Sequence, residues 1–409
     1  MNRLKVSLKF GDDSISVGEL VRNRTGEIYF RFYDGFLETG LEISPFKLPC
    51  IAGIQRASTQ IFDGLFGVFA DSLPDGWGRL LLDRALLARG VRLNEVDPLT
   101  RLAYVGKNGM GALTYEPVAE MDIDHTIKIE LDELAAEAAA VLSEQEDVDI
   151  DDLLKLGGSS AGARPKILVH SNAENGNLLP SHLPLEDSYE PWLIKFTSSQ
   201  DGTDAALIEY AYAITAVKAG LNMSEVKLFR GKSGQLYFGT KRFDRIGSKR
   251  FHMHSLAGML HDNFRLSSLD YGHIMDVVLK LEKDVGATSS VLRLAAFNVF
   301  AFNRDDHSKN ISFLMDQKGH WRLAPAYDLT FSPSAHGHHS MTVGGEGKDP
   351  GSKQLLNLAD TFGLANGADV IEEVRSAVAE LPTVCRGLGV RRESIKRIAS
   401  HMESMMSDG

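Results

Sequence analysis

The chain has 409 residues, 43% hydrophobic and 24% charged, with 44 basic against 55 acidic side chains and a net charge of −11. That length holds two or three domains at ~100–200 residues each, and the composition excludes a mainly disordered or fibrous chain. An acidic balance argues against unaided DNA binding, the two cysteines support neither a disulfide framework nor a cysteine zinc site, and no run of about 18 apolar residues is available to span a membrane.

The opening residues alternate in polarity like a strand and lack the apolar core of a signal peptide, so a cytoplasmic location is expected. Strands are predicted at Leu4–Phe10, Ser14–Glu19 and Glu27–Tyr33, each bounded by Gly, Asp or Asn. Within Gly67–Gly90 apolar residues recur at helical spacing, and Gly90 supplies the stop. Leu102–Val105 and Ala112–Tyr115 are predicted as a hairpin around Gly106-Lys-Asn-Gly-Met-Gly111. Residues 120–152 carry thirteen acids against one base, Lys128, and include an alanine-rich helix near Leu131–Leu142. This stretch reads as a solvated helix and linker.

A second unit starts near Leu153. The Gly/Ser loop Gly157–Lys166 enters a strand at Ile167–His170, and Trp192–Thr197 is the next strand. Asp204–Ala219 reads as a helix closed by Gly220, and Val226–Arg230 with Gln235–Phe243 as a strand pair. Beyond Arg245 the pattern is mainly helical, interrupted by a hairpin at Ile311–Leu323 and a loop at Ser332–Ser352. The expected division is an α+β unit at 1–118, an acidic helical linker at 119–152, a strand-rich lobe at 153–245 and a helical lobe at 246–409. The chemistry should lie between the last two.

Asp305 and Asn310 are separated by four residues, the Asp-x-x-x-x-Asn spacing of protein-kinase catalytic loops. The carboxylate can orient or deprotonate a hydroxyl, and the amide oxygen can hold a magnesium ion. Asp328 follows Asn310 by eighteen residues across the predicted hairpin, which would bring the two together as hard-oxygen donors for Mg²⁺ and ATP phosphates. Lys195 lies within the apolar strand Trp192-Leu-Ile-Lys-Phe196, as a phosphate-facing lysine does in kinases. Glu209, on an otherwise apolar helix, needs a partner, and Lys195 is the candidate. The Gly157–Lys166 loop matches neither a Walker A sequence nor a kinase glycine loop; it reads equally as a phosphate-approaching backbone and as an entry loop. Plainer readings suit the other features. His336-Gly-His-His339 is a loop, His252 and His254 mark a strand end, Gly106–Gly111 is a turn, and Cys385 is no nucleophile.

Together these segments resemble the HipA-type toxin kinases of bacterial type II toxin–antitoxin modules. The likeness is carried by Gly67-Val-Phe-Ala-Asp-Ser-Leu-Pro-Asp-Gly-Trp-Gly78, Gly106–Leu113, Ser159–Lys166, Leu193–Lys195, Lys241-Arg-Phe-Asp-Arg245, Asp305–Asn310 and Tyr327-Asp328, and spans nearly the whole chain. The resemblance implies an α+β, two-lobed, protein-kinase-like (phosphatidylinositol-kinase-like) fold with a mainly helical C-lobe and a small α+β N-terminal domain. It implies Asp305 as catalytic base and Asn310 and Asp328 as Mg²⁺ ligands. It assigns nucleotide contacts to Lys195, Lys166, Ala161, Gly162, Ala163, Lys241, Phe243 and His307. Glu209 supports Lys195, and Ser159 or Ser160 is the autophosphorylated, self-inactivating loop serine.

The activity implied is ATP- and Mg²⁺-dependent serine/threonine phosphorylation of a translation component. An aminoacyl-tRNA synthetase, glutamyl-tRNA synthetase in particular, is the best-known kind of target. The implied partner is a helix-turn-helix antitoxin of the HipB type, through which alone the chain reaches DNA; no membrane is expected. A kinase of another substrate class and a catalytically silent co-repressor are the alternatives. Two positions depart from the family pattern. Asp306 stands where glycine is common, to recruit a metal or face solvent, and Lys241 stands where an acid is common.

Overall fold

The computed structural model describes residues 1–57, 61–119, 129–145, 148–160, 162–198, 202–334 and 337–406. The chain opens with an antiparallel sheet of β1 (Arg3–Lys9), β2 (Ser14–Arg22), β3 (Ile28–Phe32), β4 (Ile54–Arg56) and β5 (Leu113–Glu116), ordered β4-β3-β2-β1-β5. Period-two alternation buries Leu4, Val6 and Leu8 with Phe30 and Phe32. Gly18 pairs with Phe32 across β2 and β3, and a Cβ there would lie 2.2 Å from the Arg31 carbonyl oxygen, so a side chain would force the strands apart.

Four helices follow the first strands: α1 (Asp34–Leu37), α2 (Gly67–Ala70), α3 (Trp77–Ala88) and α4 (Pro98–Val105). The predicted Gly67–Gly90 helix is therefore split, with Pro74-Asp75-Gly76 in the break. The predicted strand at Leu102–Val105 is instead the last turn of α4. Asp97 caps that helix by accepting from the Thr100 N–H at 2.8 Å, and Pro98 begins it. These start signals outweigh the short apolar run that suggested a strand.

Next come α5 (Leu131–Leu142) and α6 (Asp151–Gly157). They precede a second antiparallel sheet of β6 (Lys166–Asn172), β7 (Leu178–Pro180), β8 (Tyr189–Lys195), β9 (Val226–Arg230) and β10 (Leu236–Lys241), ordered β7-β6-β8-β10-β9. Helix α7 (Ala205–Lys218) connects β8 to β9 and packs on β9 and β10. A small hairpin, β11 (Arg245–Ile246) and β12 (Lys249–Arg250), leads to a three-stranded sheet of β13 (His252–Ser255), β14 (Ser312–Met315) and β15 (Trp321–Leu323). Helices α8 (Leu256–Leu260), α9 (Tyr271–Glu282), α10 (Val285–Phe300), α11 (Ser352–Thr361), α12 (Gly367–Ala379), α13 (Leu381–Gly387) and α14 (Arg392–Met406) complete the chain. Both cysteines are free, and Cys385 is buried.

Two large cores hold these parts, beside a small cluster of Ala206 and Ala213 of α7 with Phe238 of β10. One runs without a break from Leu4, Phe30 and Phe69 to Ile274, Phe297 and Ile398, so the N-terminal sheet shares its interior with the helical lobe. The other joins Trp77, Leu81 and Ala85 of α3 to Leu131, Leu134, Ala138 and Val141 of α5 and to Ile167, Trp192 and Ile194 of the second sheet. The expected solvated helix therefore carries a buried stripe at helical spacing. Its polar face remains in water, and the acidic residues 120–128 lie outside the described residues. We propose 1–118 and 153–409 as sequence units that share two cores, not as independently folding domains.

Histidines seal the first junction. His252 donates from Nε2 to the Ile43 carbonyl at 2.8 Å. His254 bonds Asp71 at 2.7 Å through Nδ1 and faces the Ser44 hydroxyl at 3.0 Å through Nε2. Burial holds His252 down at about 3. An unfolded chain takes up that proton below about pH 6.5, whereas the folded one refuses it until near pH 3. Stability should therefore fall as pH drops from about 6.5 towards 3. His170 and His261, both lowered to about 4 by burial, add to the fall. Unfolding midpoints measured across this range should decline less steeply in His252→Gln than in wild type; parallel curves would refute the assignment.

Candidate active site

The Asp305–Asn310 segment links α10 to β14 and forms part of the wall of a cavity of about 720 Å³. Asn310 donates from Nδ2 to the Asp305 carbonyl at 2.8 Å, which leaves its amide oxygen as the free ligand end. Asp305 itself stays accessible, with His307 Nε2 at 3.9 Å from Oδ1. Its carboxyl is pushed above the usual range. Partial burial in the cavity is the main cause, Asp328 and Asp306 add to it, and His307 opposes it. A carboxyl shifted in this direction is better matched to accepting a proton near neutrality.

The β14–β15 hairpin returns the chain to this segment, as the sequence predicts. Tyr327 fixes the return: its hydroxyl donates to the Lys309 carbonyl at 2.6 Å and lies 2.7 Å from the Ser312 hydroxyl. Asp328 follows with φ of +59°, a conformation aspartate tolerates better than most residues. Lys195 at the end of β8 bonds the Asp328 carboxylate and, at 2.5 Å, Glu209 of α7. Arg164 stands 3.7 Å from the other Glu209 oxygen. Burial alone would lower Lys195, but Asp328 and Glu209 outweigh it and raise its pKa, so it is held charged. For Asp328 burial is likewise outweighed, by Lys195 and Lys166, and its carboxyl lies well below the usual range.

The Gly/Ser loop closes over these groups. Gly162, Ala163, Arg164 and Lys166 line the cavity, while Ala161 lies outside the described residues. Ser160 lines the cavity too, but it is buried and its hydroxyl donates to the Gly157 carbonyl at 2.6 Å. Ser159 donates to the Asn108 carbonyl at 3.1 Å. The first turn of α3 packs on the loop. The Trp77 N–H donates to Gly162 at 2.9 Å, its indole Nε1 donates to the Lys166 carbonyl at 3.1 Å, and a Cβ on Gly78 would come within 2.4 Å of the Ser160 oxygen. Burial lowers Lys166 to about 8, against the pull of Asp328.

The remaining wall is apolar and backbone-rich. Leu193, Ala213, Met223, Val226 and Phe238 face it beside Thr240–Phe243. Phe243 packs against Tyr327 with ring centroids 5.4 Å apart. The Lys241 ammonium is tied to Glu190 at 2.5 Å and Glu225 at 3.4 Å, so the position departing from the family pattern is neutralised within the protein. Gly106–Gly111 is a turn whose carbonyls at 109 and 111 accept from Arg245 at 3.0 and 2.8 Å, an arrangement unsuited to phosphate.

Asp306 does not face solvent, and among the described residues it joins no metal-binding cluster. It is buried and accepts from Tyr271, His339 and the Ser340 N–H. Sequence reasoning also missed the contribution of the N-terminal unit to the cavity. Asp71, Asp75 and Met110 line it, and Asp75 pairs with Lys309 at 2.7 Å. The visible signal was Leu73-Pro-Asp-Gly76, a turn sequence with a carboxylate at its tip. Phe264 completes this side, with the Lys309 ammonium and the Arg265 guanidinium at 4.6 and 4.7 Å from its ring centroid.

Residues 12–116 match the HipA N-terminal domain, and residues 158–381 match the HipA-like C-terminal domain. No curated protein matches the sequence. Among solved structures, the HipA, HipB and operator DNA complex of the Shewanella oneidensis MR-1 toxin–antitoxin system is similar, at 18% identity and a TM-score of 0.67, covering 99% of this chain and 96% of that one. The Helicobacter pylori proinflammatory kinase CtkA is a more distant match, at 13% identity and a TM-score of 0.41, over 61% of this chain and 89% of that one. The fold is the α+β, two-lobed, kinase-like one that the sequence resemblance implied. With its C-terminal family model alone covering more than half of its length, the chain belongs to the HipA family of toxin–antitoxin proteins.

Proposed function

We propose that the protein is an ATP- and Mg²⁺-dependent serine/threonine protein kinase, the toxin of a toxin–antitoxin module. One observation carries this reading: Lys195, Asp328, Asn310 and Asp305 meet in a single cavity beside a buried lysine and a glycine-containing loop. Among the described residues no three His, Cys, Asp or Glu side chains form a metal cluster. One carboxylate and one amide oxygen suit Mg²⁺ completed by phosphate oxygens and water. Bound Mg²⁺ would neutralise charge on the transferring phosphate. The acceptor hydroxyl oxygen bonds the γ-phosphorus as the bond to the β,γ-bridging oxygen breaks. ADP departs and Asp305 takes the hydroxyl proton. Lys195 and Lys166 bind the phosphates, while the Lys241–Phe243 backbone and Tyr327-packed Phe243 hold the base.

The test is intact mass after incubation with ATP and Mg²⁺, beside Asp305→Asn and Asp328→Asn, with mapping of any modified peptide. One added phosphate on the peptide carrying Ser159 and Ser160, absent from both variants, is expected. An unmodified starting protein that gains nothing would defeat the reading. Phosphorylation would remove the hydroxyl donor that Ser159 gives to Asn108 or that Ser160 gives to Gly157, which supports a self-inactivating role for this loop. We also propose a basic helix-turn-helix antitoxin, supported by the Shewanella complex and the net charge of −11, and an aminoacyl-tRNA synthetase as substrate. No helix among the described residues is long and apolar enough to cross a membrane, and we place the protein in the cytoplasm.

Lys166 gives a second check. Its ammonium titrates near pH 8 in the free protein, and phosphate oxygens favour the charged form. ATP binding at pH 8–9 should therefore take up a proton. Calorimetry in two buffers of different ionisation enthalpy reads that uptake directly. Lys166→Met should abolish it, and equal heats in both buffers for wild type would count against the assignment.

A further inference from the structure

Asp305 and Asp306 are neighbours with opposite fates. Asp305 opens into the cavity, while the Asp306 carboxylate is buried at 3% exposure and fully engaged. Its Oδ2 accepts from the Tyr271 hydroxyl at 3.0 Å and from His339 Nδ1 at 2.8 Å. Its Oδ1 accepts from the Ser340 N–H at 2.8 Å. Tyr271 is in turn held by Asn298 Nδ2 at 2.7 Å, and Asn298 accepts from Asn303 at 2.9 Å. The carboxylate thus links α9, α10, the Asp305 turn and the segment after Asp328 in one network.

That segment is fastened from several directions. The Arg304 guanidinium bonds the Gly337 carbonyl and pairs with Asp349 at 3.4 Å. The Ser340 hydroxyl donates to the Arg304 carbonyl at 3.0 Å, and the Arg304 N–H donates to Ser332 at 2.9 Å. Asp270 accepts from Thr342 at 2.6 Å and from the Gly345 N–H at 2.9 Å. Ser332 and Ser340 line the same cavity as Asp305. A wall beside the base is therefore built from residues whose place depends on Asp306 and Arg304.

We propose that Asp306 is a positioning residue for the phosphate acceptor. It fixes the Asp305 backbone and, through His339 and Ser340, locks Gly337–Asp349 into a preformed acceptor wall. The inference rests on the kinase reading above.

The test uses the full chain with myelin basic protein as the acceptor probe. Asp306→Gly removes all three bonds. It should leave the KM for ATP within about twofold and lower kcat/KM for the acceptor roughly 10–100-fold, the scale of a misplaced catalytic group. Asp306→Asn, which keeps the size and the Ser340 contact, should restore most of the rate. Asp306→Gly with wild-type acceptor kinetics would overturn the proposal. So would equal losses towards ATP and acceptor that Asp306→Asn does not rescue. Hydrogen exchange supplies a readout without activity. Protection of Gly337–Asp349 should fall in Asp306→Gly while β6 and β8 keep theirs, and unchanged protection would overturn the lock. A wild type that phosphorylates nothing defeats the kinase reading, and the exchange result then still decides the lock.

Discussion

Replacing Asp305 by Asn is expected to lower phosphotransfer by roughly 10²–10⁴-fold, the usual range for a lost general base. Its carboxylate is accessible, and among the described residues its ion-pair partner is His307 at 3.9 Å, so little of the fold depends on it. The melting temperature should hold or rise slightly, since the change removes a partly buried charge that Asp328 and Asp306 disfavour. The KM for ATP should also hold, because Lys195, Lys166 and Asp328 are untouched. Rates at saturating ATP, beside a thermal melt, check both halves. A variant retaining a tenth of the wild-type rate would remove Asp305 from the role of base.

Lys195→Ala should be the most damaging single change for both activity and stability. The lysine bridges Asp328 and Glu209, and the Glu209 side chain is only 4% exposed. Removing one partner of a buried pair costs about 3–5 kcal/mol, because the other charge is left without compensation. Burial pushes the Glu209 carboxyl up, and Lys195 is the chief force holding it down; Arg164 at 3.7 Å replaces only part of that. In the variant Glu209 should therefore prefer its neutral form. Its folded pKa then exceeds the unfolded value of about 4.3, so the penalty is present at neutral pH and shrinks as pH falls towards that value. Denaturant midpoints at pH 7 and pH 5 should converge on wild type at the lower pH. Lys195→Ala combined with Glu209→Ala should be less destabilised than the two single losses added together. A single variant as stable as wild type at pH 7 would show that the ion pair contributes little.

The chemistry was legible where it is local in sequence. Asp305 and Asn310 lie on one turn, and two short strands separate them from Asp328, so spacing alone brought the three together. Lys195 and Glu209 were legible because a charge on an apolar strand and another on an apolar helix each need a partner. The helix at Leu131–Leu142 was legible as a helix but not as a core element, because its apolar stripe does not say which surface covers it. Leu102–Val105 was misread because its apolar run was weighed without the Asp97-Pro98 start that precedes it. Asp306 could not be placed, since Tyr271 and His339 reach it from more than thirty residues away on either side. The same distance hid Asp75, which meets Lys309 across 234 residues of sequence.

The packing of α3 on the Gly/Ser loop bears on the order of synthesis. Trp77, Leu81 and Ala85 leave the ribosome long before Ile167, Trp192 and Ile194, the residues that bury them. Until then the nascent chain carries a partly uncovered apolar face, and exposed apolar surface of this kind is prone to aggregate. The loop around Gly162, in turn, finds Trp77 already made when it emerges. The cavity walled by both halves is thus completed only once the C-terminal half of the chain has been translated and folded onto the N-terminal half.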